Sequence, residues 1–169
     1  ASLSTKIKQE SIMKLSQHFS YQEFIKSQTA ARKGIKNEPD DAQLYNMKMI
    51  CANILEPVRD NFGGPVIITS GFRSPELCVA IGSSTNSQHA KGEAADFEIP
   101  GTSNKEVADW IHANLVYDQL ILEFFDGKDP NSGWIHCSHK GNDNRKQYLI
   151  AYKDENNKTK YAPANHLTT

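Results

Sequence analysis

The sequence predicts a single α+β domain with a mostly antiparallel sheet and helices packed on one side. Three observations predict it. A long apolar stripe at helical spacing fills the first third of the chain, strand-like runs dominate the rest, and turn residues separate those runs at hairpin spacing. A length of 169 residues is enough for one buried core.

Composition removes several classes of function. Hydrophobic residues make up 38% and charged residues 23%, which is ordinary soluble composition. A net charge of −1 gives no basic footprint for nucleic acid or anionic membrane. No apolar run approaches the roughly 20 residues of a membrane span, and the start of the chain lacks the apolar core of a signal peptide. Residues 1–12 are polar and patternless, and are expected to be a disordered extension or a cloning remnant, with the domain spanning 13–169. Cys51, Cys78 and Cys137 are widely spaced with no CxxC, and free buried thiols are expected for Cys51 and Cys137.

Ser20 to Glu23 is a capping-box pattern, opening a short helix that should stop near Gly34. Asp40 and Asp41 supply carboxylates to the start of the next helix. Leu44, Met47, Cys51, Ile54, Leu55, Val58 and Phe62 make one apolar stripe along it, kinked by Pro57 and closed by Gly63-Gly64. Residues 65–70 are β-branched and predict a buried strand. Arg73-Ser74-Pro75 turns into a short helix to about Ile81, followed by a small-residue loop, 82–87. Residues 93–99 predict a second strand, with Ala95 and Phe97 on one side and Ala94 and Asp96 on the other. Ser103 to Glu106 repeats the capping-box pattern ahead of a helix with Val107, Ile111 and Leu115 inward. Further strands are expected at 117–125, 133–138 and 147–152, with a weakly patterned tail.

If the hairpin pairs symmetrically about the Asp129–Pro130 bond, Glu123 stands opposite His136. Leu122, Phe124, Ile135 and Cys137 then face the core, while Glu123, Trp134, His136 and Ser138 face a cleft. The chain thus offers His89, Asp96 and His136 as metal ligands, with Glu123 near by. Two imidazoles and a carboxylate suit zinc and leave a position for water, and a carboxylate such as Glu123 could move the proton. Residue types and spacing alone leave this one reading among several, because ligands distant in the chain are not brought together by spacing.

Four blocks add to that reading: Thr69 to Pro75, Ser87 to Asp96 with its His-x(2)-Gly-x-Ala-x-Asp core, Asp118 to Glu123, and Trp134-Ile135-His136-Cys137-Ser138. In this order they resemble the zinc D-Ala-D-Ala carboxypeptidase family, of Hedgehog/DD-peptidase fold, over roughly residues 15–152. That family includes peptidoglycan carboxypeptidases, vancomycin-resistance dipeptidases and phage endolysins. The resemblance implies zinc held by His89, Asp96 and His136, and a substrate or oxyanion contact from Arg73. Several relatives carry the catalytic glutamate three residues before the last histidine, where this chain has Gly133; Glu123 is the substitute.

Ser87, Gln88 and Trp134 are expected to contact substrate, whereas His139 is expected to be an exposed strand-end residue. His18, His112 and His166 lie in helix or tail contexts and have no expected role. The expected function is a monomeric zinc peptidase acting on peptidoglycan stem peptides, as a D,D-carboxypeptidase or an L-Ala-D-Glu endopeptidase. Nucleic acid and membrane partners are not expected. A phage endolysin, made in the cytoplasm and released to the wall at lysis, fits these features. The competing expectation is a binding module that keeps the fold and the zinc without turnover.

Overall fold

Six strands form one sheet in the order β1-β2-β4-β3-β5-β6 in the computed structural model, which describes residues 13–164. The expected disorder of residues 1–12, and His166, lie outside the described residues. The strands are β1 (Ile67–Ser70), β2 (Ala94–Glu98), β3 (Gln119–Glu123), β4 (Trp134–Ser138), β5 (Gln147–Lys153) and β6 (Thr159–Pro163). All neighbours pair antiparallel except β3 and β5.

The helices precede or interrupt this sheet: α1 (Tyr21–Ile25), α2 (Gln28–Lys33), α3 (Asp41–Ile50), α4 (Glu56–Phe62), α5 (Pro75–Ala80) and α6 (Asn104–Asn114). Where one helix was expected from Ser20 to Gly34 there are two, because the chain turns extended at Lys26 and Ser27 caps a new start. Ser20 makes the full capping box with Glu23, and Asp40 makes another with Gln43. Between α3 and α4 the helix widens at Cys51–Leu55, where the Glu56 amide bonds the Cys51 carbonyl five residues back. Pro57 follows at once. With no amide hydrogen of its own, it is accommodated at the start of α4 after the widened turn.

Alternation along the strands puts Ala95, Phe97, Leu120, Leu122, Ile135, Cys137 and Ile150 on the core face. There they meet Met47, Ile50, Cys51, Ile54, Leu55 and Val58 from α3 to α4, and Val107 and Ile111 from α6. Each large side chain buried in this way contributes about 1.5–3 kcal/mol. All three cysteines are free and buried.

Three expectations are corrected. The strand at β1 is an edge with only β2 beside it, so Ile67 stays 44% exposed although Val66 is buried. The tail is not patternless, since Thr159–Pro163 pairs with β5 as the last strand. The hairpin pairs Glu123 with Trp134 and Ile121 with His136, two residues away from the symmetric count. The loop causes this offset. Phe124, Gly127 and Gly133 take left-handed φ values of 54°, 80° and 69°, and the Asp126 carboxylate accepts the amides of Lys128 and Asp129. A shift of two restores the original side-chain parity, so Glu123, Trp134 and His136 still share the cleft face. Phe124 does not face the core as expected; its reversed φ lays the ring against Trp134 at a centroid distance of 5.5 Å.

The hairpin closure generates a stability prediction. A Cβ at Gly133 would lie 1.8 Å from the Glu123 carbonyl oxygen, in a left-handed backbone besides. Gly133→Ala is expected to cost roughly 3 kcal/mol or more in urea unfolding. Gly141→Ala, where a Cβ meets nothing within 4 Å, should stay within about 0.5 kcal/mol of the parent.

Candidate metal centre

Strand alternation delivers Asp96 from β2 and, directly opposite on β4, His136. The third group, His89, comes from a tight turn at Gln88–Lys91 just ahead of β2. That turn is clamped from below by α3: Gln43 donates to the Ala90 carbonyl at 3.1 Å and Asn46 to the Lys91 carbonyl at 2.9 Å. Gly92 ends the turn at φ 76°, and a Cβ there would sit 2.4 Å from the Gln43 carbonyl oxygen. Only glycine permits so close a seat of the turn on the helix.

The three side chains converge, with one ligand atom from each lying within 4.8 Å of the others. Asp96 Oδ1 is 2.9 Å from His136 Nδ1 and 3.3 Å from His89 Nε2. On its other face, His89 Nδ1 lies 2.7 Å from the Gly71 carbonyl. A carbonyl only accepts, so Nδ1 carries the proton and Nε2 presents a lone pair. The second oxygen of Asp96 is taken by Arg73 Nη2 at 3.1 Å, and Arg73 Nε is itself tied to Ser70 Oγ at 2.7 Å. Arg73 therefore orients Asp96 with Oδ1 towards the histidines, and has only part of its guanidinium left for a substrate.

These residues fit a zinc ion: a nitrogen, nitrogen and oxygen donor set, a carbonyl fixing one tautomer and a guanidinium fixing the carboxylate. The electrostatics agree. Burial alone would raise the Asp96 carboxyl, but the neighbouring imidazoles hold it far below its ordinary value. Burial lowers the His89 imidazole and keeps it neutral, the form that binds a metal.

The centre opens into a cleft of about 490 Å³. Glu123 lines it, and burial raises its carboxyl above the ordinary value, with the Asp96 charge acting in the same direction. Ser87, Gln88 and Trp134 line it as well. Gln88 is also anchored, donating to Asp118 Oδ2 at 2.9 Å. Ser138 does not face the cleft; it is fully buried and its hydroxyl accepts the Gln119 amide. His139 is buried as well, not exposed as expected, because its amide bonds the Glu93 carbonyl beside β2. Its Nδ1 has no partner among the described residues. His18 pairs with Glu56, and His112 with the Tyr117 hydroxyl.

Sequence reasoning missed Asp118 and Tyr161. Asp118 is fully buried and takes three bonds from Arg145, through its amide at 2.9 Å, Nε at 3.1 Å and Nη2 at 2.8 Å, besides the one from Gln88. It joins the metal turn to β3, and its only sequence signal was the Asp118-to-Glu123 block. Burial raises its carboxyl, but the Arg145 and Gln88 bonds prevail and pull it down to about 2.

Residues 17–138 match the family described as Peptidase M15. Comparison with curated proteins finds no match.

Two measurements follow from this geometry. In a competition titration the protein should take up one equivalent of zinc, Asp96→Ala should abolish tight uptake, and Gly71→Ala should weaken it by about 10–100-fold. The last effect arises because a Cβ at Gly71 would lie 2.6 Å from the Phe24 carbonyl oxygen and displace the partner of His89. Asp118, with a folded value near 2 against an ordinary 3.8, contributes about 2 kcal/mol of stability that is complete above about pH 4. That contribution is lost as pH falls through about 2, and Asp118→Asn should remove this acid-dependent part from urea stability measured against pH.

Proposed function

Since the chain belongs to the Peptidase M15 family of metallopeptidases, we propose that it is a zinc peptidase hydrolysing an amide bond in peptidoglycan stem peptides. The observation that carries this reading is the convergence of His89, Asp96 and His136 in a cleft that also holds Glu123. Zinc held by His89 Nε2, Asp96 Oδ1 and His136 Nδ1 would supply a Lewis acid and bring the acidity of a water into the neutral range.

The chain's own residues do the rest. Glu123 receives a proton from the attacking water and returns it to the departing amine, and its raised affinity for protons suits both tasks. Its place on β3 fills the role for which relatives use the position of Gly133, which has no space for a side chain. The part of the Arg73 guanidinium not held by Ser70 and Asp96 binds a substrate carboxylate or the developing oxyanion. Ser87, Gln88 and Trp134 contact the peptide along the cleft.

A single-chain enzyme of the D,D-carboxypeptidase or L-Ala-D-Glu endopeptidase type, acting on the cell wall, is the form of this reading that we favour. A phage endolysin released at lysis is its most economical setting. Among the described residues no helix is long and apolar enough to cross a membrane.

The deciding experiment incubates the protein with purified peptidoglycan, with and without a chelator, and scores new amino termini. Chelator-sensitive release supports the reading, and mass spectrometry of defined muropeptides then identifies the bond. Zinc uptake with no release, where another M15 peptidase cuts, would sink it in favour of a zinc-holding binding module. Glu123→Gln should lower kcat at least about 100-fold with zinc uptake intact. In the parent, kcat/KM should rise with pH through a limb above the ordinary glutamate value of 4.5, because the base works only deprotonated.

A further inference from the structure

The sheet register shows a row of residues that the family match does not reach. Trp134 pairs with Glu123, Glu123 with Ala151, and Ala151 with Tyr161, across β4, β3, β5 and β6. Partners across a sheet share a face, so all four belong to the cleft face. Glu123 and Tyr161 are two strand spacings apart, roughly 9.5 Å, with only the Ala151 methyl between them.

Ala151 is 1% exposed although it sits on the open face, so the taller side chains beside it close over it. Tyr161 nevertheless remains 57% exposed and lines the same cleft as His89, Asp96, His136 and Glu123. Its hydroxyl makes no hydrogen bond among the described residues. Burial, and then the Glu123 charge, push the phenol above its ordinary value, so it keeps its proton at neutral pH.

We infer that Tyr161 contacts the substrate, its phenol donating a hydrogen bond to a carbonyl or carboxylate oxygen of the peptide lying in the cleft. A peptide chain offers such acceptors in every residue, whereas an ammonium or apolar ligand would not use a lone donor at this edge. Arg73 enters the cleft from the β1–α5 turn and Tyr161 from the opposite end of the sheet. Between them they grip a substrate on both sides of the metal centre. The matched family region ends at residue 138 and β6 begins at Thr159, so the second grip comes from the C-terminal hairpin of this chain. It sets substrate preference there.

This inference rests on the peptidase reading, and the test separates the two. Full-length zinc-loaded protein, Tyr161→Phe, Tyr161→Ala and a control, Tyr45→Phe on the exposed face of α3, are assayed on soluble muropeptides released from purified peptidoglycan. Binding of the same muropeptides is measured by calorimetry in Glu123→Gln with and without Tyr161→Phe. Zinc content and thermal midpoint are recorded for each. The expected result is a 10–100-fold fall in kcat/KM and weaker binding for Tyr161→Phe, with zinc content and midpoint unchanged and the control unaffected. Tyr161→Phe within twofold of the parent in both assays overturns the inference and leaves the peptidase reading standing, as does a loss confined to Tyr161→Ala, which would assign only ring packing. A parent that neither cuts nor, as Glu123→Gln, binds muropeptides overturns the substrate reading and this inference together.

Discussion

The carboxylate of Asp96 is the constraint on which the rest of the structure depends. It is buried, and a buried charge is expensive unless several partners meet it. Here one oxygen faces two imidazoles and the other a guanidinium, so three separate segments must be in place at once. The demand reaches outwards from each partner. His89 needs the Gly71 carbonyl, Gly71 needs the close approach of α1, and the turn carrying His89 needs the side-chain amides of Gln43 and Asn46 on α3. The helical layer is thus more than a cover for the core face of the sheet. It fixes the turn that carries one of the three converging groups.

A second, fully buried carboxylate does comparable work at the other end of the same turn. Asp118 ties Gln88 to Arg145 and to the start of β3, so the segment before β2 is held at both its base and its tip. The arrangement divides labour between the two acids. Asp96 faces the cleft and Asp118 is withdrawn from it, which leaves the half-buried Glu123 as the acid on the cleft face whose environment raises its proton affinity. Carboxylates pushed in opposite directions by their surroundings are the usual sign of separate chemical roles.

Much of the fold was legible because its signals are local. The apolar stripe from Leu44 to Phe62, the capping serines and the alternation in β2 each depend on neighbours a few residues away, and each appears in the structure. Pairing across the hairpin was legible only in parity. Side chains alternate with a period of two, so a register wrong by two residues still put Glu123, Trp134 and His136 on the correct face. The loop that set the true register depends on left-handed residues such as Phe124, which no propensity rule favours.

The sequence by itself determined the converging set of His89, Asp96 and His136, because the residue pattern around Gly92 and the Trp-x-His block are contiguous. It also determined the single α+β domain, because the hydrophobic periods are strong. Only the tertiary structure decided what surrounds that set. Asp118 and Arg145 are far apart in the chain and meet through burial, Tyr161 reaches the cleft through two strand pairings, and Gly133 is barred from bearing an acid by a carbonyl ten residues earlier. Such relations follow from distances between chain segments, and distance is not a property of a string of residues. The zinc motif at Ser87 to Asp96 is written in one stretch; the cleft that gives it a use is assembled from five strands.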